Sequence, residues 1–166
     1  MVINFNKILP ESLENIDFNR YCHFLIHEKE EVRTYTNSDE IISNYGDAKW
    51  NIIDLLNEKF NSNFDLHNWI NKNKDDEISY FLNEAGSNSL NHSQFKAPYK
   101  FHLWLGEESF VIGIEQKGKG FNAKEIDDKR IKDNEGNAFE FFRNCKSEVF
   151  FDDCEDAKIV FIEFKF

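Results

Sequence analysis

After Pro98 the apolar residues abandon helical spacing and alternate strictly with their neighbours. Tyr99, Phe101, Leu103 and Leu105 fall on one side of an extended chain, Gly106-Glu107-Glu108-Ser109 offers a turn, and Phe110, Ile112 and Ile114 fall together on the return. Period-two alternation on both sides of a short polar turn predicts a β-hairpin. Two further strands are expected near the end, Glu148-Val149-Phe150-Phe151 and Lys158 to Phe166, with Val160, Ile162, Phe164 and Phe166 of the latter sharing a face.

Helical spacing dominates the chain before Pro98. Pro10-Glu11-Ser12 is a helix opening, and Leu13, Ile16, Tyr21, Phe24 and Leu25 continue a rough stripe over 10–29. Glu31 to Thr36 alternates like an edge strand. Further helices are expected near 48–60, near 65–72 and over 75–92, the last with Asp75-Asp76-Glu77 in its first turn, where the macrodipole favours carboxylates. Its buried face is Ile78, Phe81, Leu82 and Ala85. Gly136-Asn137 opens a short helix holding Ala138, Phe141, Phe142 and Cys145. Helices before and between antiparallel strands predict an α+β two-layer sandwich, with a mixed, mostly antiparallel sheet covered by helices.

Composition narrows the class of function. At 166 residues one domain is expected, and 40% hydrophobic with 31% charged residues is ordinary for a globular chain. Eighteen Phe fill a core as Leu would. No apolar run reaches membrane-spanning length and no signal-like stretch opens the chain, so a cytoplasmic protein is expected. Cys22, Cys145 and Cys154 share no metal-type spacing and are expected as reduced thiols. A net charge of −11 argues against a nucleic-acid partner. One stretch runs against that charge: Lys117, Lys119, Lys124, Lys129, Arg130 and Lys132 face only Glu125, Asp127 and Asp128. It suits a phosphate-binding lid or a solvated mixed loop equally.

The residues with the most chemistry lie on the helix before the hairpin. Glu84, Asn88 and His92 are four apart, so on a helix they fan along one side over about 12 Å. A carboxylate, an amide and an imidazole in that row can orient a hydroxyl or water, ligate Mg²⁺ and touch phosphate. Spacing alone equally describes a solvated helix face. The hairpin's second strand then exits into Gln116-Lys117-Gly118-Lys119-Gly120-Phe121, and a segment over 121–135 leads to Gly136-Asn137-Ala138.

This order of helix, hairpin, glycine loop, lid and glycine-opened helix resembles the GHKL, or Bergerat-fold, ATPases. It is most similar to the anti-sigma-factor serine kinases and their histidine kinase-like ATPase domain. The resemblance covers about residues 30–166, leaving 1–29 as an extension packed on the domain, either lengthening the helical layer or forming a homodimer contact. It implies ATP and Mg²⁺ as cofactors. Glu84 takes the place of the general base, Asn88 that of the Mg²⁺ ligand, and His92 a place near the phosphates or a capping role. Gln116, Gly118 and Gly120 match the strand exit that receives the nucleotide, and Gly136 the glycine of the phosphate turn. The implied activity is phosphoryl transfer to a Ser or Thr of a protein partner, by resemblance a sigma factor or an anti-anti-sigma-like regulator, with no nucleic acid or membrane involved.

Two positions depart from that pattern. The family's adenine-binding Asp is Gln116 here, a neutral acceptor whose hydrogen bond is weaker, a loss of roughly tenfold in affinity. The phosphate turn's second Gly is Ala138. These departures favour an alternative, a degenerate GHKL-like protein-binding module without catalysis.

Overall fold

The fold, a computed structural model, describes residues 3–30, 39–69, 75–133 and 137–166. Among the described residues five helices and five strands follow in the order α1 (Leu9–Asn15), β1 (Arg20–Leu25), α2 (Asp39–Phe60), α3 (Glu77–His92), β2 (Pro98–Leu105), β3 (Ser109–Gln116), α4 (Ala123–Asp133), α5 (Asn137–Asn144), β4 (Glu148–Phe151) and β5 (Ile159–Lys165). A 3₁₀ turn at Leu66–Trp69 joins α2 toward α3. The strands form one sheet in the order β1-β2-β3-β5-β4. Among the described strands every pairing is antiparallel, where a mixed, mostly antiparallel sheet was expected.

The predicted hairpin fixes the two faces of this sheet. Phe101 faces Ile114, Leu103 faces Ile112 and Leu105 faces Phe110 across β2 and β3. Those six residues join Val149, Phe151 and Ile162 in the main core, against Ile52, Ile53 and Leu56 of α2 and Ile78, Phe81, Leu82 and Ala85 of α3. The opposite face carries Trp104, Val111, Phe150 and Phe161, covered by Leu9, Leu13 and Ile16. An α+β sandwich follows, with most helices on one face and the short α1 on the other.

Two helix boundaries differ from expectation for local reasons. The stripe expected over 10–29 ends at Asn15, where Asp17 takes a left-handed φ of 49°. Asp tolerates that conformation through its short polar side chain, and beyond it Tyr21 and Cys22 alternate faces as β1, with Tyr21 opposite Trp104. Helix α2 starts nine residues before the expected 48, at Asp39. Ile41, Tyr45, Ala48, Ile52 and Leu56 make one buried stripe straight through Gly46, so packing outweighs the roughly 1 kcal/mol propensity cost of glycine. The edge strand expected over 31–36 lies outside the described residues, as does part of the helix expected over 65–72.

Helix α3 is pinned at its start by two buried carboxylates. Asp76 accepts from Ser79 N at 3.0 Å and Ser79 Oγ at 2.8 Å, and also from Asp65 N and Asn68 Nδ2, each at 2.9 Å. Glu77 accepts from Lys146 N, from Ser147 N at 3.1 Å and from Ser147 Oγ at 2.7 Å. A macrodipole contribution alone would leave these groups in water; here they tie the helix to the turn before it and to the loop entering β4. Cys145, beside Glu77, is a buried free thiol whose pKa is pushed up by burial and by that carboxylate. No helix among the described residues is long and apolar enough to cross a membrane.

The N-terminal segment is held by a charge cluster behind the sheet, in which Lys7 and Glu163 are buried. Lys7 Nζ contacts Glu148 and lies 2.7 Å from Glu163, which also accepts from Ser12 Oγ at 2.5 Å. Burial pushes the Glu163 carboxyl up, but the hydrogen bonds of Lys7 and Ser12 outweigh it and the net shift is downward. A carboxyl depressed in the folded state stabilises the fold above its unfolded pKa, and that stability is lost as pH falls through the folded value. Urea midpoints should therefore fall steeply below about pH 4, and in Glu163→Gln that acid-side slope should flatten while the neutral-pH midpoint drops. A variant as acid-sensitive as the parent would show that Glu163 is not the group responsible.

Candidate functional site

The polar edge of α3 emerges from the pattern that buries its other side. Ile78, Phe81, Leu82 and Ala85 fill the core, so residues 84 and 88, about 100° from 85 and 89 by helical rotation, are held half-buried at its margin. They open on a cavity of about 450 Å³ bounded by α3, α4, α5, the ends of β3 and β5, and the loop after β3. That volume lies within the range of small-molecule sites.

Glu84, Asn88 and His92 all line this cavity, and so does Gln116 at the end of β3. Gln116 is buried at 9% exposure; its backbone N donates to Lys158 O at 2.8 Å and its Nε2 to Lys119 O at 3.1 Å. The side chain is thus fixed by its amide nitrogen, and its carbonyl oxygen is the group left to accept from a guest. His92 is the exposed last residue of α3.

The loop glycines answer to protein contacts. Gly118 has φ 91°, and a Cβ there would meet Gln94 Oε1 and the Phe95 ring at 2.5 Å. It turns the chain so that Lys119 N donates to Gln94 Oε1 at 2.7 Å, but it does not itself line the cavity. Gly120 does, and its N donates to Asp156 Oδ1 at 3.1 Å where the loop bridges β5's approach through Phe121 and Ala157. Gly136 lies outside the described residues. Ala138, the second departure from the family pattern, sits on the cavity wall.

Much of the segment expected as a lid over 121–135 is helix α4. Asn122 Oδ1 accepts from Glu125 N at 3.0 Å at its start, and Asp127 pairs with Arg143 to join α4 to α5. Of the basic residues noted in the sequence, Lys119 and Arg130 line the cavity. Lys117 turns away, 3.6 Å from Glu30 and 5.1 Å from the Tyr99 ring. Lys158 also lines the cavity and has no sequence signal, because it is the residue before a strand and becomes relevant only through the β3–β5 pairing. Phe121, Phe139, Phe142 and Phe151 form the apolar wall. Their alternation and helical spacing mark them as core, with nothing to separate a core wall from a cavity wall.

Three cationic side chains and an imidazole against one carboxylate make an enclosure suited to an anionic ligand with an apolar part. Among the described residues no group of three or more His, Cys, Asp or Glu could hold a metal by itself. The amide of Asn88 beside the Glu84 carboxylate fits Mg²⁺ only in company with ligand oxygens, the usual habit of that ion.

Gly118→Ala should lower stability by about 1–3 kcal/mol, since it combines a left-handed backbone with a clash; a urea midpoint shift measures it, and an unchanged midpoint would show that the loop relaxes freely. Set against known proteins, the chain matches no family model, no curated sequence and no solved structure, so what the cavity does must be argued from its own side chains.

Proposed function

We propose that this cavity takes an adenine nucleotide with Mg²⁺ and that the domain is a nucleotide-dependent regulatory protein of the Bergerat-fold kind, transferring phosphate to a Ser or Thr of a protein partner. The observation that carries this reading is the meeting of the α3 edge Glu84, Asn88 and His92 with Gln116 and Gly120 around one cavity. Apolar packing of α3 on the hairpin brings the two stretches together, but it does not require that the hollow between them be lined with Lys119, Arg130 and Lys158.

In this reading the aromatic wall of Phe121, Phe139, Phe142 and Phe151 shelters the flat part of the ligand, and the Gln116 carbonyl accepts from an exocyclic amine. Lys119, Arg130 and Lys158 offset the negative charge of the phosphates. Asn88 would hold Mg²⁺ through its amide oxygen together with ligand oxygens, and the ion would supply charge neutralisation at the phosphate oxygens. Glu84 orients the acceptor hydroxyl and takes its proton, a role that needs an unprotonated carboxylate within hydrogen-bond reach.

A second reading, a degenerate module that binds partners without catalysis, is favoured by the Gln116 amide being tied to Lys119 O and by the Ala138 methyl on the cavity wall.

Calorimetric titration with Mg-ATP and Mg-ADP separates the two. The first reading expects saturable binding that weakens when Mg²⁺ is chelated and when Asn88→Ala is introduced; no heat and no thermal shift at millimolar nucleotide would remove it. Given binding, Glu84→Ala should keep nucleotide affinity within a few-fold and abolish phosphoryl transfer, and undiminished transfer would displace Glu84 as the base.

A further inference from the structure

Lys49 lies on α2, away from the cavity, in a setting unlike that of a surface lysine. Its Nζ is 2.8 Å from Asn83 Oδ1 and 4.1 Å from the centroid of the Tyr45 ring. Both neighbours are fixed. The Asn83 amide nitrogen donates to Leu66 O at 3.3 Å, which directs its oxygen toward the lysine. The Tyr45 hydroxyl donates to Asn83 O at 3.3 Å, and burial raises that phenol's pKa to about 12, so it stays a protonated, uncharged donor. Among the described residues no carboxylate pairs with Lys49, although the chain carries 31 Asp and Glu. A half-buried ammonium with one neutral acceptor and an aromatic face has lost hydration without gaining a counter-charge.

We infer that Lys49 is a nucleophilic acyl-acceptor site, modified by acyl phosphates or acyl thioesters ahead of the other lysines. The free amine attacks the acyl carbonyl carbon, the carbon–oxygen bond to phosphate or the carbon–sulfur bond to the thiol breaks, and an amide forms. The leaving phosphate or thiolate takes the electron pair, and the proton shed by nitrogen passes to it or to water. No oxidant or reductant enters.

Desolvation supports the assignment by lowering the lysine's pKa from 10.5 to about 8. Near neutral pH its amine is then uncharged on the order of a hundred times more often than an ordinary lysine's. Lower basicity returns part of that gain, as for other desolvated lysine nucleophiles, leaving a net advantage of roughly tenfold. The structure also says what acylation changes: the added group lies between α2 and α3, and the ammonium that contacts Asn83 and the Tyr45 ring is lost.

The test is incubation of the full chain with acetyl phosphate, and separately with acetyl-coenzyme A, at pH 7.5 and pH 10, with site occupancy read by peptide mass spectrometry. Lys49 should be acetylated roughly tenfold faster than the exposed Lys59 and Lys129 at pH 7.5, and that lead should vanish at pH 10. Labelling of Lys49 at or below their rate at pH 7.5 overturns the inference. Asn83→Asp places a carboxylate beside the amine and should cut Lys49 labelling several-fold at pH 7.5 while sparing the others; equal labelling in a variant with the parent's circular dichroism counts against it. The unsubstituted chain's pH profile decides the matter even where the variant fails to fold.

Discussion

Everything distinctive about this chain depends on how α3 is rotated against the sheet. Ile78, Phe81 and Leu82 are fully buried against the hairpin's inner face, each contributing about 1.5–3 kcal/mol. Turning the helix by one residue would expose part of that set, a loss no polar contact at its margin could offset. Asp76 and Glu77 add direction to this, since their hydrogen bonds reach the turn at 65–68 and the loop at 146–147 on different sides. The position of Glu84 and Asn88 is therefore a consequence of apolar packing and two structural carboxylates. The residues that look functional are placed by residues that look ordinary.

The same logic links the N-terminal segment to the cavity. Asn4 N donates to Val149 O at 3.0 Å, laying this segment along β4. Phe5 then stacks on Phe151 at 6.1 Å between centroids, and Phe151 stacks in turn on Phe139 at 6.1 Å. Phe151 and Phe139 both line the cavity. One row of aromatic rings therefore runs from the start of the described chain to the wall of the site, while Lys124 of α4 lies 5.9 Å over the Phe5 ring. The segment closes the β4 side of the sheet and supports the apolar wall at once, in addition to the ion pairs of Lys7 with Glu148 and Glu163.

What the sequence disclosed follows from which signals are local. The hairpin over 98–116 was legible because alternation and turn chemistry need only neighbours, and α3 because its apolar period and polar edge occupy one helix. The segment that forms β1 carries a helical expectation because Leu13 and Ile16 keep a helical spacing up to Asp17, and only the pairing of Tyr21 with Trp104 decides otherwise. Helix α4 leaves little helical signal in the sequence because its apolar content is slight, with Ala123 and Asp127 its buried residues. Lys158 and the aromatic wall were invisible for a different reason. Membership of a cavity is a long-range property, and Phe139, Phe142 and Phe151 look identical in sequence to the Phe residues that fill the core.

The electrostatics of the site make sense only when distance is weighed against total charge. A chain of net charge −11 repels anions at long range. At physiological salt that field decays over about 8 Å, so inside the cavity the nearest side chains decide the potential. There Lys119, Arg130 and Lys158 stand against Glu84, and Lys158 keeps its acidic neighbour Asp156 at 3.6 Å. A locally cationic hollow therefore sits within an acidic surface, and the two fields act over different ranges.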